Sequence, residues 1–370
     1  MPSAIGEAMS PIKDKLYTLG AAMDESRMES VLAPMLRARF GSHVMVHGVQ
    51  IEVLRRRNQR CVLRYQVNGF DAAAARDIKW RLIGKVFKAN RGEVIFQYMK
   101  RLWDNGFSRD MNDGISMPEA YDFSTPLCML FQEEVPGLPI KSLLKQAPQT
   151  AHFRQLARTL AKLHKCPIVP GKAFSIKDHL TRCHPRHEFL ALACPDLAPS
   201  IDYIVRRAFE LEKSSGKISL APLHGDFHMG QVHLQDGHTW LIDFDALCYG
   251  DPASDLGNLL VFLEAKARRE ADVRQVIEAF WDEYFKWMDH GIAARVPLYE
   301  ALTHLRRACK CLRTQDEGWQ NRIERMIQRG VVCIDKMDRH DFSAAAASPW
   351  AESDGDESLD EMVLEAIDED

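Results

Sequence analysis

The spacing of apolar residues changes period along this chain, and each change predicts a different element. Met28, Val31, Leu32, Met35 and Leu36 fall at helical intervals behind Asp24, a residue suited to capping a helix N-terminus. Residues 44–89 alternate instead. The stretches 44–54 and 61–67 read as strands flanking Arg55-Arg-Arg-Asn-Gln-Arg60, and 80–87 reads as a third strand ending near Lys85. Helical spacing returns over 91–103, where Val94, Ile95, Tyr98, Met99 and Leu102 share a face. An apolar strand over 127–135 then runs into Pro136-Gly137, a pair that breaks regular structure. Beyond it helices dominate. The segments 139–147 and 150–166 are helical, the second with Phe153, Leu156, Ala157, Leu160, Ala161 and Leu163 on a broad apolar face, and 256–340 is mostly helical. One short hairpin interrupts them: 231–234, then Asp236-Gly237, then 239–243, with Asp-Gly favouring a tight turn. Strands with one helix, followed by helices, predict an α+β chain.

Composition narrows the function classes. At 370 residues the chain holds two cores. No apolar run approaches a membrane span, and the first residues lack the apolar core of a secretion signal. Nine cysteines, an odd number with no C-x-x-C pair, predict reduced thiols and a cytoplasmic setting. The net charge of −4 divides into −10 from 351–370 and +6 from everything before it. So weakly basic a body does not predict nucleic-acid binding. The acidic tail, 343–370, has the composition of a disordered segment. Leu359, Met362, Val363, Ala366 and Ile367 nevertheless recur at helical spacing, which leaves a protein partner open beside a purely solubilising role.

The chemistry concentrates in His224–Asp255, HGDFHMGQVHLQDGHTWLIDFDALCYGDPASD. Folding the hairpin brings the segment from Asp226 to Gln231 near Asp243. A carboxylate free to take a proton, beside an amide oxygen and a second carboxylate, suits phosphoryl transfer: a base for a hydroxyl and hard oxygen ligands for Mg²⁺. His224-Gly-Asp226 with Gln231, then Ile242-Asp243, then Gly250-Asp-Pro252 with Asp255, resembles the aminoglycoside phosphotransferase-type small-molecule kinases over roughly residues 45–335. Gln231 stands where that family usually has Asn, a variant shared with maltokinase-like members.

The resemblance implies a bilobed protein-kinase-like fold, with a small antiparallel-sheet N-lobe, a larger helical C-lobe and ATP between them. The corresponding domains are a helical arm over 1–43, the N-lobe over 44–135, the C-lobe over 136–342 and the tail. It implies Asp226 as catalytic base, Gln231 and Asp243 as metal ligands and Lys85 on the α/β-phosphates. Asp245 would join the metal ligands if the strand continues past Asp243. Glu93 either orients Lys85 or favours its helix N-terminus. The hinge residues Gln132, Glu133, Glu134 and Val135 would face adenine. His224 and His228 would support the loop. The arginines of 55–60 either contact phosphate or form a solvated turn, and Gly84 would let a ligand approach the backbone. Asp251 and Asp255 would fix the loop, and Asp255 would also cap the helix starting near Leu256. Cys183, His184, His187 and Cys194 lack the spacing of a structural zinc site, so 168–218 reads as a helical insertion. The aromatics of 280–288 read as core. Arg306, Arg307, Arg313 and Arg322 are either anion contacts or solvated faces. The expected activity is transfer of the ATP γ-phosphate to a hydroxyl of a small metabolite. The alternative is a pseudokinase-like regulatory module.

Overall fold

The computed structural model describes residues 16–57, 59–89, 91–144, 149–267 and 271–338, so the acidic tail and its proposed docking helix lie outside the described residues. The described residues fall into two compact units, one within Met1–Asp104 and Met117–Val135, the other within Asn105–Ser116 and Pro136–Asp370.

The first unit is built on a five-stranded antiparallel sheet. After a one-turn helix α1 (Leu19–Ala22) comes α2 (Glu25–Phe40), whose N-cap Asp24 accepts the Arg27 backbone N–H at 2.9 Å. The long strands β1 (Val44–Arg56), β2 (Arg60–Asp71) and β3 (Arg76–Phe87) then form a meander, and α3 (Arg91–Leu102) follows. The two-residue strand β4 (Ile115–Ser116) belongs to the second unit. Strands β5 (Ala120–Ser124) and β6 (Met129–Glu133) complete the sheet in the order β1-β2-β3-β6-β5. Met28, Leu32 and Leu36 of α2 bury against Leu63, Tyr65, Val67, Trp80 and Leu82, so the helical stripe and the alternating strands meet in one core. The strands run further than their alternation suggested: Arg55 and Arg56 belong to β1, and Arg60 opens β2. In α3 Ile95, Met99 and Leu102 are buried, whereas Val94 is more than half exposed.

The second unit is mainly helical. After β7 (Leu138–Pro139) come α4 (Ile140–Leu144), α5 (Thr150–Lys165), α6 (Ile176–Thr181), α7 (His187–Ala193) and α8 (Ala198–Ser214). The short strands β8 (Ala221–Leu223), β9 (Val232–Gln235), β10 (His238–Leu241) and β11 (Cys248–Gly250) follow. The chain closes with α9 (Ala253–Ala267), α10 (Ala271–Tyr284), α11 (Val296–Thr314) and α12 (Trp319–Asp338). The region 168–218 is helical over α6, α7 and α8. The aromatics of 280–288 are mainly core: Phe280 and Tyr284 are fully buried, while Trp287 is half exposed. Gly257 lets α9 meet α11, since a Cβ there would lie 2.8 Å from the Glu300 backbone nitrogen.

Candidate active site

Two short ladders frame the stretch that carries the chemistry. Strands β9 and β10 pair from Gln235↔His238 to Val232↔Leu241, and their turn has positive φ at both Asp236 (51°) and Gly237 (78°), the requirement that makes Asp-Gly a hairpin signal. The second ladder pairs β8 with β11, Leu223 opposite Cys248. Between the ladders run two loops, 224–231 and 242–247. Ile242 N–H donates to the Gln231 carbonyl at 2.9 Å, and His224 Nε2 donates to the Ile242 carbonyl at 2.8 Å. The Arg182 guanidinium donates to the Gly225 carbonyl at 2.6 Å and to that of Ala246 at 3.4 Å, joining the loops from outside. Gly225 has φ +80°, and a Cβ on it would lie 2.3 Å from the Ala246 oxygen, so the position requires glycine.

Asp255 fixes the first loop from below. Its fully buried carboxylate accepts the backbone N–H of His224 (2.7 Å) and of Gly225 (2.8 Å), and it lies 3.2 Å from His164 Nε2. His164 is held in turn by the Tyr284 hydroxyl at 2.7 Å. Burial by itself would raise the Asp255 carboxyl. The His164 hydrogen bond and charge, the His224 charge and the Gly225 N–H outweigh it and hold the group below the ordinary carboxylate range. Asp255 is therefore not the N-cap that its position suggested. Helix α9 starts at Ala253, and Asp251 serves its start by accepting the Ala253 N–H at 3.0 Å. Arg295 clamps Asp251 through two nitrogens, at 2.6 and 3.0 Å.

The expected base, Asp226, leaves 43 % of its side chain exposed, so its carboxylate is open to a solute. His228 packs against Phe262, and its Nδ1 accepts the Gly230 N–H at 3.0 Å. Its Nε2 lies 3.2 Å from the Gln231 side-chain amide. Burial lowers the proton affinity of His228, against the pull of the Asp226 and Asp243 carboxylates, which both lie within electrostatic reach of the ring. Gln231 thus meets the imidazole directly, and both carboxylates act on it through their charge. Gln231 sits in a one-turn 3₁₀ helix, Met229–Gln231, ahead of the strand. Strand β10 stops at Leu241, Asp243 has φ +65°, and Phe244–Ala246 is a 3₁₀ turn. The strand alternation expected to point Asp245 the same way as Asp243 is therefore absent. Left-handed backbone at a non-glycine residue is costly, and Asp tolerates it better than most.

A carboxylate and a side-chain amide oxygen are hard ligands, the donor type that Mg²⁺ takes. Among the described residues no group of three or more His, Cys, Asp and Glu forms a metal cage. Cys183 is buried and hydrogen-bonds Cys309, and His187 lies 3.4 Å from Glu188.

The remaining expected residues belong to the first unit. Lys85 is buried on β3 between Val62 of β2 and Leu130 of β6, whereas Lys88, just beyond the strand, is exposed. Glu93 is exposed in the first turn of α3. Gly84 serves the core, contrary to expectation: a Cβ there would lie 1.9 Å from Met129 Cε and 2.7 Å from the Tyr65 ring. Gln132 and Glu133 are buried at the end of β6, opposite Ile83 and Leu82. The Glu134 carboxylate is engaged by Arg64 at 2.7 Å and Arg81 at 3.4 Å, which leaves backbone groups as what this segment has to offer a base. Val135 is the last residue of the unit.

Three arginines complete the picture of the second unit. Arg182 lies in the stretch whose sequence was least legible, and no local signal marks it. Arg306 on α11 donates to Asn258 Oδ1 at 2.6 Å and stands 3.8 Å from Asp226 Oδ1. Arg322 is buried and donates to the backbone carbonyls of Asp316 and Glu317, a structural role.

Residues 95–294 match the model of the APH phosphotransferase enzyme family, more than half of the chain. The chain belongs to this family. Solved structures with the same fold include a choline/ethanolamine kinase family protein from Mesorhizobium loti, 17 % identical, covering 87 % of this chain and 98 % of that one with a TM-score of 0.56. A thermostable mutant of the aminoglycoside phosphotransferase APH(4)-Ia, in a ternary complex with AMP-PNP and hygromycin B, is 14 % identical and covers 82 % of this chain and 98 % of its own, with a TM-score of 0.53. The amicoumacin kinase in complex with AMP-PNP, Ca²⁺ and its substrate is 16 % identical, covering 76 % and 88 %, with a TM-score of 0.52. A comparison with curated proteins gives no match. The fold is thus the expected protein-kinase-like one and the family is one of phosphotransferase enzymes. The regulatory-module alternative gains no support. Among the described residues no helix is long and apolar enough to cross a membrane.

Proposed function

We propose that this protein is an ATP- and Mg²⁺-dependent kinase that phosphorylates a hydroxyl of a small metabolite, with Asp226 as its base. The observation that carries the reading is that the loop of Asp226 and Gln231 and the loop of Asp243 are tied together by His224 and Arg182, with Asp255 fixing the first of them. Asp226 accepts the proton of the acceptor hydroxyl as its oxygen forms a bond to the γ-phosphorus. The bond from that phosphorus to the β–γ bridging oxygen breaks, and ADP leaves. Such a transfer passes through a loose transition state, so orientation and charge neutralisation supply most of the rate. Asp243 and the Gln231 amide oxygen would hold Mg²⁺, which when bound neutralises phosphate oxygens. Lys85 binds the α- and β-phosphates, and backbone groups over Gln132–Val135 face the adenine. His224 and His228 hold the loop and the Gln231 amide in position. All nine cysteines are free thiols, which fits a reducing, cytoplasmic setting.

Asp226→Asn should lower turnover by about 10²- to 10⁴-fold, the usual contribution of a general base, with Mg-ATP binding kept. Asp243→Asn should weaken Mg-ATP binding as well. Isothermal titration with Mg-AMP-PNP, together with mass-spectrometric detection of phosphorylated products, reads both. Wild-type turnover in the two variants would remove the assignment.

A further inference from the structure

We infer that Arg306 is the anion-binding residue of the acceptor site, and that the acceptor is a hydroxylated small molecule bearing a carboxylate or phosphate group. The inference rests on Asp226 being the base of a small-molecule kinase and adds the class of its substrate.

The geometry around Arg306 is a closed chain of contacts. The Asn258 side-chain nitrogen donates to the Phe227 carbonyl at 2.9 Å, which turns its oxygen toward Arg306, and Arg306 Nη2 donates to that oxygen at 2.6 Å. Phe227 is the neighbour of Asp226 in sequence, so the loop that carries the base also sets the guanidinium. Arg306 Nη2 ends 3.8 Å from Asp226 Oδ1, too far for a hydrogen bond.

Asn258 thus holds a guanidinium beside the base. Arg306 still has donors to give: no described residue accepts from its Nε or Nη1, and its side chain is 27 % exposed. Other guanidiniums of this unit are already engaged. Arg295 is bound to Asp251, Arg182 to the carbonyls of Gly225 and Ala246, and Arg322 to carbonyls in the turn before α12. A planar fork with unused N–H groups beside the base matches a carboxylate or a phosphate and fixes it relative to the hydroxyl that reacts.

A cationic acceptor meets the opposite situation. It would approach Asp226 past a guanidinium, and carboxylates on the segments around α11 are already committed. Asp178 is held by Ser175 and Lys172, Asp251 by Arg295, and Asp255 by the loop backbone. His179, packed against Tyr299 of α11, is kept neutral by burial, reinforced by Arg182 and Arg306, and so adds no further positive charge.

The test is a matched acceptor panel with the full-length protein and Mg-ATP: D-gluconate, D-glucose 6-phosphate, D-glucose and D-glucosamine, with D-glycerate, glycerol 3-phosphate, glycerol and 3-amino-1,2-propanediol as a shorter series. ADP release and product mass give kcat and KM for each. Turnover is expected in the anionic members, with carboxylate and phosphate arms telling which anion is preferred. Arg306→Gln should raise KM for the best anionic acceptor by roughly 10- to 100-fold, the loss of a charge-assisted hydrogen-bonded contact, while KM for ATP stays within about twofold. Arg306→Lys should restore part of the loss, which an unfolded or merely loosened variant would not. Preference for the neutral or amino members, or an unchanged acceptor KM in Arg306→Gln, overturns the inference and leaves the kinase reading standing. No phosphorylated product from any member overturns both.

Discussion

Replacing Asp255 with Asn tests whether the catalytic loop depends on one buried charge. The carboxylate has two oxygens: one accepts the Gly225 N–H at 2.8 Å, the other the His224 N–H at 2.7 Å with His164 Nε2 at 3.2 Å. Asn keeps one acceptor oxygen and turns an NH₂ toward the other donors, so at least one buried backbone N–H faces a second donor. A hydrogen bond to a charged acceptor is worth about 1.5–3 kcal/mol, and breaking a buried ion pair costs about 3–5 kcal/mol. The two figures describe overlapping contacts, so the expected loss is about 3–5 kcal/mol, a large share of a typical stability of about 5–15 kcal/mol. For a unit of this size each kcal/mol lowers Tm by about 2–4 °C, which predicts a fall of roughly 6–20 °C in a thermal melt followed by circular dichroism. Turnover should fall together with stability, because the same N–H groups position Asp226. The acid limb gives an independent check. The Asp255 carboxyl is held below its ordinary range, so its contribution is present above the unfolded pKa of about 4 and lost as pH falls through the lower folded value. The stability gap between wild type and Asp255→Asn should therefore narrow below about pH 4. A variant within about 1 kcal/mol of wild type at pH 7, with unchanged turnover, would refute the reasoning.

Two further outcomes follow from buried groups elsewhere. Gly84→Ala should destabilise the first unit by about 1–3 kcal/mol, since the new methyl must displace Met129 and press on the Tyr65 ring. Urea unfolding followed by the fluorescence of Trp80 reads this, and an unchanged midpoint would show that the core has slack. His304 is fully buried, and burial, then Arg307 and Lys336, lower its pKa to about 3. The unfolded chain therefore binds a proton that the folded one excludes between about pH 6.5 and 3, and stability falls as pH drops through that window. His304→Gln should reduce the slope of unfolding free energy against pH there by one proton. An identical slope would mean that the ring is protonated in the native state.

The sequence was most legible where a local requirement has a local answer. Asp236-Gly237 marked the hairpin because both positions need positive φ, and Asp24 marked a helix start because its side chain reaches a backbone N–H three residues on. The apolar face of α5 was readable because burial repeats with the helical period. The ladder of Ala221–Leu223 with Cys248–Gly250 was not, since three residues are too few for alternation to register. Gly84 was misread because its reason is a methionine and a tyrosine on neighbouring strands. The loop-fixing role expected of Asp255 is present, but the cap is not, since its partners lie 30, 31 and 91 residues back along the chain.

The sequence by itself determined the order of strands and helices, the hairpin and the residue types that phosphoryl transfer needs, because propensity, periodicity and turn chemistry act over a few residues. Tertiary structure decided that Asp243 leaves the strand for a left-handed bend, that Arg182 ties two loops together, and that Arg306 arrives from a helix 80 positions later in the chain to stand beside Asp226. Such contacts are set by where separately packed elements come to rest, and no spacing along the chain records that.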